Sequence, residues 1–287
     1  MIKPFSLVLF SLMLISSCAQ KKEILLFSSS RNGNSDIFIM DFKGENLKPL
    51  AQTEFEEWGS TWINENEISF LRQKEDSIYR IKLNIESKEE TELPHPFNCI
   101  LDDKNVLYSP SSQLQLYSCN NDIFLYDPTS KELKNITKNM NGNALYPSWS
   151  NDGNSIIFTS NHLGSNDLFI YEIQSTKVAQ LTDSDSNNER GELSPNRKLL
   201  AYSSDHFEKG NQEIVLKDLK SGLIKNVSMS TGTELIARFS NDGNLLFYGT
   251  NNDGNWEIYS YNLRTDVKKR LTNVGEFDGD PRILKNK

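Results

Sequence analysis

The chain has 287 residues, of which 37% are hydrophobic, and a formal charge of −8 at pH 7. That length fits two average domains or one large all-β domain, and the many Asn, Ser and Asp residues suit a fold rich in turns. The segment before Cys18 carries only Lys3, so the rest keeps 30 basic against 39 acidic residues, a balance that argues against nucleic acid as a partner, since phosphate binding needs a basic surface.

Residues 1–17 read as a leader. Lys3 forms a short basic region, and Phe5 to Ile15 is an apolar stretch too short to span a bilayer as a mature helix. Ile15-Ser16-Ser17-Cys18 follows and resembles the lipobox of bacterial lipoproteins, in which the Cys thiol is acylated and becomes the new N-terminus. An ordinary signal peptide with an incidental Cys is the alternative. Residues 18–23 read as a tether. Ala19 to Glu23 resembles the charged export tag of some surface lipoproteins, and serves equally as a plain solvated linker.

From residue 24 to 287 one pattern repeats six times. An acidic or small polar residue followed by strand-type apolar residues occurs at Asp36-Ile37-Phe38, Ser77-Ile78-Tyr79, Asp122-Ile123-Phe124, Asp167-Leu168-Phe169, Glu213-Ile214-Val215 and Glu257-Ile258-Tyr259, in steps of 41, 45, 45, 46 and 44. A bulky apolar anchor occurs at Trp62, Tyr108, Trp149, Leu193, Phe239 and Ile283, in steps of 46, 41, 44, 46 and 44. Both periods match propeller blades of about 40–50 residues. Within a repeat, Asn151-Asp152-Gly153 and Asn241-Asp242-Gly243 mark tight hairpins between strand-like runs. Four short strands fit each repeat, and no helical period is visible after the leader. Runs such as Ile24-Leu25-Leu26-Phe27 and Ile37-Phe38-Ile39-Met40 are apolar on both faces, as in a blade packed between two others.

These features predict an all-β, six-bladed β-propeller with four-stranded antiparallel blades. Its N-terminal strands begin at a second strand, and its C-terminus ends on a lone first strand around Pro281 to Leu284. The two are expected to complete blade one together and so close the ring without an open edge. Blade three is the ambiguous one. Either Ile100-Leu101-Asp102-Asp103 or Tyr108-Ser109-Pro110-Ser111 could start it, and loop length favours the later start.

Phe27 to Asp41, Pro147 to Gly153, and Leu181-Thr182 before the next hairpin resemble the TolB propeller repeat. The resemblance covers essentially everything after residue 23 and bears on fold more than function. The TolB family carries an α/β domain before its propeller and docks partner proteins of the envelope. The 269 residues after Cys18 come to about 45 per blade, so that domain is not expected here and the Tol–Pal role is not carried over. Related propellers precede hydrolase domains in prolyl peptidases, and no such domain is expected to follow.

Signals for chemistry are sparse. His95, His162 and His206 are the only histidines, and no zinc-protease, nucleophile-elbow, phosphate-loop or Cys-x-x-Cys motif is present. His162 and His206 fall in equivalent loops of adjacent blades, where solvated histidines are the simpler reading. A propeller lyase site on pectin fragments would need more histidines than these. Asp183-Ser184-Asp185-Ser186-Asn187 starts like a calcium loop but lacks the later Gly and Glu. No metal or cofactor is therefore expected. Cys99 and Cys119 fall at the same end of blade three and could form a disulfide in an exported compartment.

The loops entering the first strands surround one mouth of the channel. Five residues before the anchor, or close to it, the blades carry Glu57, Lys104, Ala144, Asn188, Glu234 and Asp278. Glu234, Asp278 and Glu57 belong to consecutive blades and are expected to form an acidic arc, reinforced by Glu56, Glu276 and Asp280. These carboxylates serve equally as turn caps. As a site, the arc would attract a basic peptide segment or a cation. The expectation is a monomeric binding or scaffold lipoprotein of the bacterial outer membrane, periplasmic or surface-exposed, attached only through its lipid. Its partner would be an envelope protein or peptide. Catalysis is the less favoured reading. A carbohydrate-active lyase or hydrolase is the alternative, hinted at by Trp58 beside Glu57 and by Trp256.

Overall fold

A computed structural model describes residues 23–285. The leader, Cys18 and all of the tether but Glu23 lie outside the described residues. The described chain is entirely β, and holds no helix long and apolar enough to cross a membrane.

Six four-stranded antiparallel sheets form a six-bladed β-propeller. The inner strands, in order from blade one, are Asp278–Ile283, Glu56–Trp62, Leu107–Tyr108, Ala144–Trp149, Asn188–Leu193 and Glu234–Phe239. Blade one is composite. Its C-terminal inner strand pairs antiparallel with the N-terminal strand Ile24–Ser29, with Leu25 opposite Ile283 and Ser29 opposite Asp278. Ring closure thus follows the predicted route and leaves that strand no free edge. Blade three starts late. Leu107 pairs with Leu116 and Tyr108 with Gln115. The Ser109 amide donates to Leu114 O, as Ser150 donates to Ser155 O in blade four.

The repeated residues have repeated jobs. In blade four the hairpin closes through Gly153 N to Ser150 O at 3.0 Å, with Gly153 at φ 69°. In blades three, four and six the acidic residue opening the third strand accepts the hydroxyl that follows the fourth. Thr182 Oγ1 donates to Asp167 and Thr137 Oγ1 to Asp122, at 2.8 and 2.6 Å. These bonds tie the outer half of a blade together where short outer strands have few ladder bonds.

Apolar residues on both faces of each sheet bury between neighbouring blades. One cluster joins blades one and two through Leu26, Ile37, Trp62 and Phe70. Another joins blades six and one through Phe27, Phe38, Phe247 and Ile258. A smaller cluster of Leu71, Cys99, Leu101, Val106 and Tyr117 seals blades two and three. There Cys99 and Cys119 are joined by a disulfide, with Cα atoms 6.2 Å apart.

Candidate functional site

The inner strands carry a shared distortion that the sequence does not advertise. In blades one, two, four, five and six, one extra residue interrupts the pairing of inner strand to second strand. At that bulge Asp280, Gly59, Tyr146, Arg190 and Ile236 lie at φ 54°, 60°, 51°, 55° and 63°. Only one is glycine, and a β-branched residue such as Ile236 is rarely found there. Arg190, Ile236 and Tyr146 line the central channel, together with Lys104 from blade three. Across neighbouring blades the Arg190 guanidinium sits 3.7 Å over the Tyr146 ring.

The bulge decides the fate of the expected acidic arc. Glu57, Glu234 and Asp278 occupy equivalent inner-strand positions, but all three are fully buried. They face their own second strands, paired with Arg72, Thr250 and Ser29 respectively. Arg72 donates to Glu57 Oε1 from Nε at 2.7 Å and also holds Glu90 at 2.6 and 2.8 Å. Arg31 grips both oxygens of Asp278 at 2.9 and 2.8 Å. Glu234 has only hydroxyl partners, Thr250 at 2.7 Å and Ser230. Burial raises the pKa of all three carboxyls; Arg72 and Arg31 oppose it at Glu57 and Asp278, while only hydroxyl donors oppose it at Glu234. These groups stitch strands together and present no charge to a ligand, which corrects the expected arc at its three central positions.

The other members divide. Glu56 and Glu276 are exposed on the loop face, with Glu56 accepting the Ser35 amide at 2.9 Å. Asp280 lies within the channel, 3.1 Å from Arg282 and 3.9 Å from Lys104, and that positive field holds its carboxyl below the usual range despite burial. Lys104, read from spacing as the blade-three counterpart of Glu57, instead reaches the channel at the level of the bulges.

The channel is richer in cations than the sequence suggested. Lys104, Arg190, Arg238, Arg282 and Lys285 meet three acids, Glu189, Glu192 and Asp280. Arg238 is pushed down to about 10, first by burial and then by the neighbouring Arg282 charge. Arg238 and Arg282 hold one equivalent position, directly before the anchors Phe239 and Ile283 of neighbouring blades, whereas Lys104, Arg190 and Lys285 have no cation at the matching position of another blade.

The remaining candidates are not assembled into a site. His162 accepts the Asn141 amide at 2.8 Å, and His206 meets the Phe207 ring edge-on at 5.1 Å. Among the described residues no group of three or more His, Cys, Asp or Glu side chains is placed to hold a metal. Trp58 donates to Asp102 O at 2.9 Å beside a Glu57 that is buried, so the two do not form a sugar platform with a free carboxylate.

The loop face has a different character. Phe97, Ile100, Leu163, Phe207, Met229 and Phe277 are exposed by 81, 75, 62, 47, 69 and 39%. All six lie in loops that join second to third strands or one blade to the next, and those loops share one face of the ring.

Residues 101–191 match the family model described as the dipeptidyl peptidase IV N-terminal region. The Tol-Pal system protein TolB of Francisella tularensis subsp. tularensis (strain WY96-3418) is 30% identical over 84 residues, 29% of this chain and 19% of that protein. TolB from Acinetobacter baumannii superposes with a TM-score of 0.73 at 19% identity, over 91% of this chain and 66% of that one. A TolB candidate from Agrobacterium tumefaciens does so with a TM-score of 0.69 at 15% identity, over 89% of each chain. The chain therefore spans less than two thirds of the length of the first two proteins, and at these identities the structural likeness concerns fold. In repeat sequence and in blade construction alike, the chain is similar to the TolB-type β-propellers.

Proposed function

We propose that the chain is an envelope-anchored binding propeller whose loop face docks a protein or peptide partner. The observation that carries this is that six exposed large apolar side chains, Phe97, Ile100, Leu163, Phe207, Met229 and Phe277, lie in loops that share one face of the ring. Such side chains, and aromatic ones above all, gain by burial against a partner's surface. The TolB name of the similar proteins points to an envelope setting. Glu56 and Glu276 are exposed acids on the same face, so a partner with basic flanks around apolar anchors fits best. Attachment is proposed through a lipid on Cys18.

Crosslinking and pull-down from solubilised envelope test the docking reading. The full-length protein should capture a partner that the triple variant Phe97→Ser, Phe207→Ser, Met229→Ser loses, with both proteins melting alike. Equal capture by the variant would remove the loop face from consideration. Cys18→Ala should release the protein or leave its precursor uncleaved; continued maturation on the membrane would refute the anchor.

A further inference from the structure

A cavity of about 710 Å³ opens on the face opposite the docking loops, where the channel meets the hairpins of blades two and three. The inner ring is thinnest there, because blade three contributes the two-residue inner strand Leu107–Tyr108 where its neighbours contribute six or seven residues. Ile63, Leu107, Pro110 and Leu284 give the cavity apolar walls, and Arg238, Arg282 and Lys285 gather on its channel side.

These cations have too few acceptors. Arg238 donates to Ala237 O at 3.0 Å and otherwise approaches Glu192 at 3.5 Å. Arg282 meets Asp280 at 3.1 Å, and its buried Nε has no partner. Lys285 donates to Trp149 O and lies 3.6 Å from the same Glu192, which also accepts the Phe239 amide at 3.1 Å. One carboxylate thus serves two cations and a backbone donor. Glu65, the other acid of the cavity, stands exposed at its rim. Desolvated donors without acceptors are costly, and gathered like charges add to the cost. Burial and the neighbouring guanidiniums lower the pKa of both Arg238 and Lys285.

We propose that this cavity binds a small organic anion, a carboxylate or phosphate on an apolar body, with Arg238 and Arg282 holding the anionic group. The fork geometry of guanidinium suits two-oxygen acceptors. The volume falls within the range of about 300–1,000 Å³ typical of small-molecule sites, far more than an inorganic ion needs. The proposal is independent of the docking face, since no residue of the cavity lies in the loops assigned to that role.

Calorimetric titration of the full-length protein with four probes tests it. Benzoate and phenyl phosphate should bind saturably, and their ranking assigns the anionic group as carboxylate or phosphate. Inorganic phosphate should bind more weakly than phenyl phosphate, and the neutral benzamide should not bind. Arg238→Gln and Arg282→Gln should each weaken the preferred anion by roughly tenfold or more, the loss of a charge-assisted hydrogen bond. Arg282→Lys should retain part of the affinity. Without ligand, Arg238→Gln should melt at or above the wild-type temperature, because it removes a repelling buried charge while Lys285 stays beside Glu192. Equal binding of benzamide and benzoate, absence of saturation by either anion, unchanged affinity in both Gln variants, or strong destabilisation of ligand-free Arg238→Gln would each overturn the assignment.

Discussion

Replacing Arg72 by Met probes the reading of the buried carboxylates most directly. Arg72 is 4% exposed and Glu57 not at all, and the guanidinium contacts Glu57 Oε1 at 2.6 and 2.7 Å. Methionine keeps an unbranched apolar stem in the space but leaves Glu57 with Thr53 as its remaining side-chain partner, at 3.0 Å. Glu90 is 37% exposed and can turn to water. Stranding one member of a buried pair costs about 3–5 kcal/mol. In a chain of this size each kcal/mol moves the melting temperature by about 2–4 °C, so the variant should melt about 6–20 °C lower at pH 7. The pH dependence has a definite sign. Burial already pushes Glu57 above its ordinary 4.5, and without Arg72 only the Thr53 hydroxyl opposes that rise. The folded state then keeps a proton that the unfolded chain releases, so the variant's stability is greatest in acid and falls as pH rises through the carboxylate range. Urea denaturation between about pH 4 and pH 8 should show the deficit growing with pH. Adding Glu57→Gln should recover most of the loss, since the charge without a partner is then gone. A deficit under about 1 kcal/mol at pH 7, or one independent of pH, would refute the argument.

Three further outcomes are expected. Glu234→Gln should hold or raise stability at pH 7. Burial raises the Glu234 pKa and no cation pairs with it, so ionisation works against the fold as pH rises, and urea midpoints should show the variant's advantage shrinking below about pH 4.5. Cys99→Ser with Cys119→Ser opens a loop of sequence separation 20 and should cost about 3 kcal/mol, read as a matching loss in the wild type on reduction. Ile236→Asn should lose no stability and could gain about 1 kcal/mol by thermal melt, because Asn tolerates the φ of 63° better than a β-branched residue does.

Much of the ring was legible in the sequence because its determinants are local. Asp152-Gly153 sets a hairpin, the Asp167 signature opens a third strand, and the spacing of Trp149, Leu193 and Phe239 counts blades. Ring closure followed from two incomplete repeats that complement one another. The candidate site was harder to read because it depends on register. The one-residue bulge turns Glu57 toward Arg72 and Asp278 toward the Arg31 side of blade one, and one residue is enough to exchange the faces of a strand. Glycine would have flagged that bulge, yet Tyr146, Arg190, Ile236 and Asp280 occupy it in four blades. Pairing each inner strand with its second strand from the hairpin outward, with one residue allowed to loop out, would have set Arg72 against Glu57. The channel cations carry only part of such a signal: Arg238 and Arg282 each directly precede the anchor of their blade, but Lys285 lies beyond the last strand, and spacing does not tell that these positions face the channel.

Closure of blade one also fixes which way the molecule stands. Ile24 begins its strand opposite Asp41, and Leu25 lies beside Ile283, so the chain enters and leaves the ring at the hairpin face. From Cys18 to Ile24 the backbone can reach at most about 20 Å. A lipid at Cys18 would hold the ring close to the bilayer with its hairpin face turned downward. The apolar loops would then project away from the membrane, open to partners in the aqueous space. The cation-lined cavity would face the headgroups, in a thin layer that solutes enter from the side.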